Sequence, residues 1–257
     1  MTDALAVAVR EAPVAGEVPR FELREWRERY GVVAGVTGRG NGGGPGFDLG
    51  LWTTQPVGEV MHRWRAFREA EAGFHATVLG NQVHRADLAW HDHAAGWVHV
   101  DGVDGHGTAT PGLLLTVTLA DCVPVYLVAP RQRAVALLHA GWRGTAAGIV
   151  SNGVELLHAR IGATPADIIM HAGVGICGDC YEVGSEVVRG VGLTADGPGP
   201  WHVDLRERLS AEAAVLGLAA CTTSAWCSAH DTGRFYSHRA SGGRDGRMVA
   251  YLGFAAA

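Results

Sequence analysis

Apolar residues fill almost the whole stretch from position 113 to position 139, and this stretch restricts the possible folds most strongly. Residues 113–128 (LLLTVTLADCVPVYLV) predict one buried strand, a turn at Ala120–Asp121–Cys122 and a second strand. Residues 134–139 (AVALLH) predict a third buried strand. The longest apolar part, residues 113–129, is interrupted by Asp121 and two threonines and is too short and too polar to span a bilayer. We expect a protein built around buried β-strands.

Further helices and strands are predicted along the rest of the chain. The predicted helices cover residues 61–73, a long segment from the glycine turn at 141 to about 162, 185–189 and 206–216. The predicted strands cover residues 77–83, 167–174, 235–239 and 248–254. Because helices and strands mix without strict βαβ alternation, we predict the α+β class. The 257 residues suffice for one large core or for two small domains.

The composition excludes several classes of function. All 21 basic residues are arginine, so a P-loop, a Schiff-base mechanism and a pyridoxal enzyme, which all need a lysine, are ruled out. Any bound anion must therefore be met by arginine, backbone N–H groups or a metal. The net charge is −5 and no basic block is present, so we expect no nucleic-acid partner.

The five cysteines and the N-terminal residues bear on the compartment. An odd cysteine count without small-scaffold density predicts reduced thiols, and residues 1–19 lack the pattern of a signal peptide. We therefore expect a cytoplasmic protein with no membrane association. Cys177 and Cys180 form a CxxC motif, and Cys221 and Cys227 follow it. A structural zinc site on these four is conceivable, but the second pair is separated by five residues, wider than the usual two to four.

Three potential metal ligands stand where predicted strands end. His84 follows TVLGNQV, Cys122 follows LTVTLAD and His139 follows AVALL. Strand ends at one edge of a sheet can meet in space, and a His, Cys and His set with an open fourth position suits catalytic zinc. The same residues also allow two other interpretations. They can be satisfied polar or core residues, or Cys122 can be a metal-free nucleophile with His139 or His84 as its base.

Three more residues are candidates for the chemistry. Asp121 can orient a metal-bound histidine or act as a base, or it can simply cap the local turn. Arg143, just after His139 in HAGWRG, can bind an anion at a predicted helix start or lie paired on the surface. The glycine-rich segment 38–46 (GRGNGGGPG) is predicted to be a loop, either a flexible turn or a backbone cradle for an anion with Arg39 at its edge.

Several segments together resemble one known family, the bacterial laccase-domain proteins or multicopper polyphenol oxidoreductases. This family is also called the purine nucleoside phosphorylase family or the peptidoglycan editing factor family. The matching segments, in the family's order, are TGRGNGG (37–43), FDLG (47–50), NQVH (81–84), TLADCVPVYL (118–127), LLHAGWRGTAAGI (137–149), CYEVG (180–184), HVDLR (202–206), CTTS (221–224), RFYSHR (234–239) and DGRM (245–248).

The resemblance implies a fold, a ligand set and an activity. It implies a single domain over residues 1–257, a mixed β-sheet sandwich flanked by helices, and a metal held by His84, Cys122 and His139. It also implies zinc-dependent phosphorolysis of adenosine, inosine and methylthioadenosine, and deamination of adenosine. The partners are then a small nucleoside and phosphate. From the residues themselves, our candidates for holding phosphate are Arg39 and Arg143, and our catalytic candidates are Cys122, Asp121 and Arg143.

Other functions stay open beside this one. Relatives called peptidoglycan editing factors suggest an amidase or hydrolase, copper instead of zinc would suggest a polyphenol oxidase, and a metal-free chain would suggest a binding module. The chain has a single HxH motif, His91–Asp92–His93, where a multicopper cluster needs several, and it lacks the HxE of a cytidine-type deaminase. It also departs from the family's common GPAIGPCCYEVG at Val174, Cys177 and Asp179.

Overall fold

Two seven-stranded mixed sheets form the centre of the protein. The computed structural model describes residues 6–40 and 46–256. In spatial order, the first sheet consists of β1 (Val7–Val9), β15 (Ala220–Ser224), β12 (Ile169–Ala172), β10 (Val123–Ala129), β11 (Ala134–Ala140), β8 (Gly105–Thr108) and β6 (Ala89–Trp90). The second consists of β2 (Ala12–Val14), β3 (Arg20–Glu22), β4 (Val32–Thr37), β16 (Met248–Phe254), β9 (Leu113–Leu119), β5 (Ala76–Asn81) and β7 (Gly96–Asp101).

Parallel and antiparallel pairs occur in both sheets. In the first sheet β10 is antiparallel to both β11 and β12, whereas β12 is parallel to β15. In the second sheet β9 is antiparallel to β16 and parallel to β5. A separate two-stranded ladder joins β13 (Glu182–Val183) to β14 (Trp201–His202). The strands β9 and β10 are consecutive in the chain but belong to different sheets, so the turn between them crosses the sandwich.

Most helices pack on the two outer faces of the sandwich. In the described residues the α-helices are α1 (Arg24–Tyr30), α2 (Val57–Ala70), α3 (Trp142–Ala146), α4 (Ile149–Ile161), α5 (Ser185–Gly190), α6 (Leu205–Leu216) and α7 (His238–Ser241). The side chain of Asp204 caps α6 by accepting from the backbone N–H of Arg206, and Ser237 caps α7 in the same way.

Alternate residues of the central strands explain this layering. In β10, Val125 and Leu127 face the helices α4 and α6, while Tyr126 and Val128 face the second sheet. Both sets are buried, as expected for strands that are covered on both sides. On the far face of the second sheet, Trp64 and other apolar residues of α2 pack against β5, β9 and β16. The predicted class, a mixed β-sandwich flanked by helices, is thereby confirmed.

Most predicted elements are present, with two corrections. The strand predicted over 235–239 is wrong, because this segment is unpaired and ends in the N-cap and first turn of α7. The long helix predicted after position 141 is split into α3 and α4 by Gly148, whose positive φ of 71° breaks the helical path. Of the predicted loop 38–46, residues 38–40 and 46 have no regular structure and 41–45 lie outside the described residues.

Within residues 6–40 and 46–256, every helix is too short or too polar to cross a membrane. The single domain over residues 1–257 and the cytoplasmic location stay predictions.

Candidate metal centre and active site

The three predicted ligands come together where the chain passes from one sheet to the other. His84 lies just beyond β5, Cys122 ends the crossing turn between β9 and β10, and His139 lies near the end of β11. Their ligand atoms lie within 4.8 Å of one another. His139 is buried, Cys122 is half-buried and His84 is exposed, so the cluster has one open side. We call these three residues the crossing cluster.

The backbone at the crossing cluster is held in unusual conformations. His84 has φ of 58° and Asp121 has φ of 132°, and both values are uncommon for residues other than glycine. Such conformations cost of the order of 1–3 kcal/mol each and persist only where the surrounding structure enforces them. Gly141 lies close against the cluster. A Cβ atom there would lie 3.1 Å from Cys122 Sγ and 3.4 Å from the His84 ring, so a side chain at this position would crowd the ligands.

A buried carboxylate, Asp104, fixes both histidines of the cluster. Its Oδ1 lies 3.0 Å from Nδ1 of His139, and its two oxygens accept the backbone N–H groups of Val83, His84 and Arg85. Asp104 is fully buried. A carboxylate on one histidine nitrogen leaves the other nitrogen free to bind a metal and fixes the direction of the ring. Asp104 was not predicted, because only the fold brings this turn residue beside His139.

The charges of the cluster favour a thiolate. Burial alone would raise the pKa of the Cys122 thiol, but the positive charge of His139 and hydrogen bonds with His139 and His84 lower it to about 6. Burial alone would lower the pKa of His139, but Cys122 and Asp104 raise it to about 9. In the absence of a metal, these opposite pKa shifts favour an ion pair of Cys122 thiolate and His139 imidazolium. The thiolate is the form that binds metals and attacks electrophiles.

The open side of the crossing cluster faces a cavity of about 470 Å³. This volume suits a small organic ligand. Among the described residues, the lining includes three arginines, three large aromatic side chains and the cluster itself. These are Arg143, Arg239, Arg247, Trp52, Trp142, Tyr181, His84, Cys122 and His139. A cavity that combines potential metal ligands with arginines can hold an anionic or phosphorylated substrate.

The two predicted phosphate ligands have different surroundings. Arg143 lines the cavity, stacks 4.2 Å from the Trp142 ring and lies 3.9 Å from the exposed Glu186. Arg143 belongs to α3, which has only five residues. The anion site predicted at the N-terminus of a long helix is therefore not formed here. Arg39 is not among the residues that line the cavity. Its guanidinium is paired with Asp245 and stacks on Tyr236.

Asp121 lines the cavity, but other groups occupy its carboxylate. Oδ1 accepts from the Ser228 hydroxyl at 2.6 Å, and Oδ2 accepts from the backbone N–H of Arg239 at 2.7 Å. The carboxylate that contacts a cluster histidine is thus Asp104 and not Asp121. Asp121 joins the crossing turn to the Ser228 segment and to Arg239, which lines the cavity, and its predicted role as a base stays a prediction.

The donor atoms of the crossing cluster fit a zinc ion. Two imidazoles and one thiolate with an open position are the ligand number and type of catalytic zinc sites. The contact between Asp104 and His139 is the carboxylate contact that usually orients a metal-binding histidine. Copper accepts the same donors, so the ligand set alone does not select one of these metals.

Comparison with known proteins identifies the family. Residues 34–255 match the family described as multi-copper polyphenol oxidoreductase laccase. The chain belongs to this family. It is 35% identical over 247 residues to the purine nucleoside phosphorylase YlmD of Geobacillus stearothermophilus, covering 87% of this chain and 90% of the relative. The crystal structure of YlmD from that organism superposes with a TM-score of 0.82 at 31% identity, covering 96% of this chain and all of the other.

Two further relatives carry informative names. A purine nucleoside phosphorylase of Streptomyces griseus is 34% identical over 260 residues, covering 96% of this chain and 99% of the relative. An adenosine deaminase of an unknown prokaryotic organism is 36% identical over 160 residues, covering 58% of this chain and 61% of the relative. The family that the motifs predicted is thus confirmed.

Proposed function

We propose that the protein is a zinc-dependent purine nucleoside enzyme that works in the cavity beside the crossing cluster. Its reactions are phosphorolysis of adenosine, inosine and methylthioadenosine to the base and (methylthio)ribose 1-phosphate, and deamination of adenosine to inosine. The observation that carries the proposal is the convergence of His84, Cys122 and His139 on a cavity lined by arginines. The names of the relatives, purine nucleoside phosphorylase and adenosine deaminase, support it.

The cavity offers a distinct surface to each part of the substrates. Zinc on the crossing cluster would supply a Lewis acid that polarises a substrate atom and lowers the pKa of a water molecule. Arg143, Arg239 and Arg247 supply positive charge for phosphate. The exposed ring of Trp52 offers a flat apolar surface for a purine. In phosphorolysis a phosphate oxygen replaces the base nitrogen on the ribose carbon, and in deamination a water oxygen replaces the amino group on the purine.

Tyr181 is our candidate for the proton that the departing base must receive. It lines the cavity, and burial, followed by the negative charge of Cys122, raises the pKa of its hydroxyl. Tyr181 therefore keeps its proton at neutral pH and can donate it as the base leaves. Replacing Tyr181 by Phe should slow phosphorolysis in kcat more than in KM, since the hydroxyl acts in the transition state.

A second candidate function follows from the contact between Asp104 and His139. Cys122, His139 and Asp104 form a nucleophile, base and orienting carboxylate, the arrangement of thiol hydrolases. Such an enzyme could cleave an amide in a peptidoglycan precursor without any metal. A chelator separates the two candidates, because removal of zinc should abolish nucleoside turnover but leave thiol catalysis intact.

The first experiment combines metal analysis of the purified protein with adenosine turnover in the presence and absence of phosphate. We expect bound zinc, adenine formed only with phosphate, and inosine formed without it. Metal-free protein that turns over a muramyl peptide but no nucleoside would support the thiol hydrolase. Stoichiometric copper with phenol oxidation, lost on chelation and restored by copper, would support a polyphenol oxidase.

The arginine roles can be separated by paired variants. If Arg143 holds phosphate, Arg143→Ala should impair phosphorolysis far more than deamination. Arg39→Ala is the matched comparison, because Arg39 is paired with Asp245 away from the cavity lining. Equal loss of both reactions in Arg143→Ala would remove its phosphate role. Selective loss of phosphorolysis in Arg39→Ala would instead support the phosphate role that the sequence suggested for Arg39.

A further inference from the structure

A second group of potential metal ligands lies outside the cavity. The side chains of Cys177, Cys180, Cys227 and His230 place one ligand atom each within 4.8 Å of one another. None of the four lines the cavity of the crossing cluster. Cys227 is buried, Cys177 and Cys180 are half-buried, and His230 is exposed. We call this group the loop cluster.

The loop cluster is made of two short motifs with the same spacing. Cys177 and Cys180 enclose two residues, and so do Cys227 and His230. Each motif is a tight turn: the N–H of Cys180 donates to the carbonyl of Cys177 at 3.1 Å, and Asp231 N–H donates to the Cys227 carbonyl at 2.8 Å. Spacing of two to four residues is the usual arrangement of paired ligands in structural zinc sites.

The backbone holds the two turns against each other. Gly175 and Cys227 form an isolated parallel bridge, and the N–H of Ser228 donates to the carbonyl of Gly175 at 3.0 Å. Gly175 has no room for a side chain, since a Cβ atom would lie 2.9 Å from the carbonyl oxygen of Asp121. In addition, the N–H of Cys177 donates to the Sγ of Cys227 at 3.3 Å. Metal sites commonly have such hydrogen bonds to their ligands, and these bonds orient the ligand atoms.

We propose that Cys177, Cys180, Cys227 and His230 bind a second zinc ion, which has a structural role. Three thiolates and one imidazole are an established closed ligand set for structural zinc, with no position left for a substrate. Bond lengths of about 2.3 Å to sulfur and 2.0 Å to nitrogen place the donor atoms of a tetrahedral site roughly 3.5–3.8 Å apart. The observed distance between Cys177 Sγ and His230 Nδ1 is 3.5 Å.

A partly buried ion pair supports both turns of the loop cluster. Asp204 and Arg206 are joined by two hydrogen bonds of 3.0 and 3.2 Å. Asp204 also accepts the N–H of Gly178, inside the first motif, at 3.0 Å, and Arg206 donates to the carbonyl of Trp226, next to the second motif, at 2.9 Å. The pair therefore fixes the two motifs independently of a metal. It also places the Arg206 guanidinium near Cys177 and Cys227, where its positive charge would offset part of the excess negative charge of three thiolates on one zinc ion.

The position of the loop cluster indicates what the second zinc would do. Ile176 and Tyr181, which flank the first motif, line the cavity. Ser228, inside the second motif, donates to the carboxylate of Asp121 at 2.6 Å. A metal that joins the two motifs would hold this wall of the cavity in place without touching the substrate.

The proposal is tested by metal analysis of matched variants. The intact protein should contain about two zinc ions per chain, and the Cys177→Ser/Cys180→Ser double variant and His230→Ala should each contain about one. Cys221→Ser is the control for the thiols, because Cys221 contacts Ser210 outside both clusters. The control for the exposed histidine is His93→Ala. A zinc content that is unchanged in both loop-cluster variants would overturn the proposal.

Two further measurements keep the test valid if the double variant does not fold. His230 is exposed, so His230→Ala leaves the core intact. In the unaltered protein, Cys177 and Cys180 should resist alkylation until a chelator is added and should then react together, while the reactivity of Cys221 stays the same. A disulfide between Cys177 and Cys180, or alkylation that a chelator does not change, would overturn the second zinc. Loss of one zinc ion in His84→Ala would concern the metal of the crossing cluster and would leave the proposal for the loop cluster unchanged.

Discussion

The two clusters use the same kinds of ligand but differ in number and surroundings. The crossing cluster has three potential ligands on a cavity lined by arginines, whereas the loop cluster has four and lies outside that cavity. With zinc, three ligands leave a position for a substrate or a water molecule, and four leave none. The comparison suggests that the number of ligands, together with access to a cavity, separates a reactive metal from a stabilising one in the same protein.

The clusters also differ in how the chain assembles them. The ligands of the crossing cluster are at positions 84, 122 and 139, and they meet only once both sheets are in place. Backbone conformations with positive φ at His84 and Asp121, and the buried carboxylate of Asp104, hold them. The loop cluster is instead made of two local turns joined by one backbone bridge. We therefore expect changes in the two clusters to affect different properties.

The largest expected effect is that of Cys122→Ser on activity. A serine hydroxyl is a poor zinc ligand and a poor nucleophile at neutral pH, so nucleoside turnover should fall to background. Cys221→Ser, a change of the same size outside both clusters, should keep full activity. Steady-state kinetics on adenosine with phosphate measures both. If Cys122→Ser kept substantial activity and its zinc, the crossing cluster would not be the reactive one.

The second expected effect is a large shift in the acidity of Cys122. In the metal-free protein its thiolate should form as the pH rises through about 6, because His139 and His84 stabilise the negative charge against the cost of burial. The rate of alkylation at Cys122 should therefore rise with pH around that value. In His139→Gln the same midpoint should move upward, since the imidazolium is lost. A midpoint that did not move would mean that His139 carries no charge beside the thiol.

The third effect concerns the carboxylate that supports the crossing cluster. Asp104→Asn keeps the size of the side chain but removes the negative charge that faces His139 Nδ1. It also weakens the hydrogen bond that the side chain accepts from the backbone N–H of His84. We expect zinc affinity or activity to fall about 10–100-fold, as is usual for outer-shell partners of metal ligands. Asp101→Asn, at an exposed neighbouring position, is the control. Equal behaviour of the two variants would show that Asp104 does not support the metal.

The sequence predicted those strands and site residues that are marked by apolar runs or by short motifs. The apolar runs around Cys122 and His139 predicted three of the central strands, and the motifs predicted the family and the residues of the crossing cluster. The strand predicted at 235–239 was wrong, because Ser237 there begins a helix by capping it. A short apolar segment does not by itself distinguish an unpaired stretch from a strand.

The loop cluster was only half visible in the sequence. The sequence shows the CxxC motif, but it suggests Cys221 as the partner of Cys227, and the wide spacing of these two cysteines argues against zinc. In the structure Cys221 contacts Ser210 instead, and His230 completes the group. The spacing of Cys227 and His230, two residues apart, was the signal that could have identified it. Asp104 offered no such signal, since its partner His139 lies 35 positions away.

The smallest expected effect, and the one that separates the clusters most cleanly, is that of His230→Ala. If zinc at the loop cluster is structural, its weakened binding should lower the midpoint of thermal unfolding by about 5 °C, which corresponds to roughly 2 kcal/mol for a chain of this size. The kcat at 25 °C should change less than about threefold, because His230 does not line the cavity. Thermal unfolding and kinetics on the same preparation, beside His93→Ala, give both values. A large loss of kcat with unchanged thermal stability would reverse the assignment and make the loop cluster part of the reactive site.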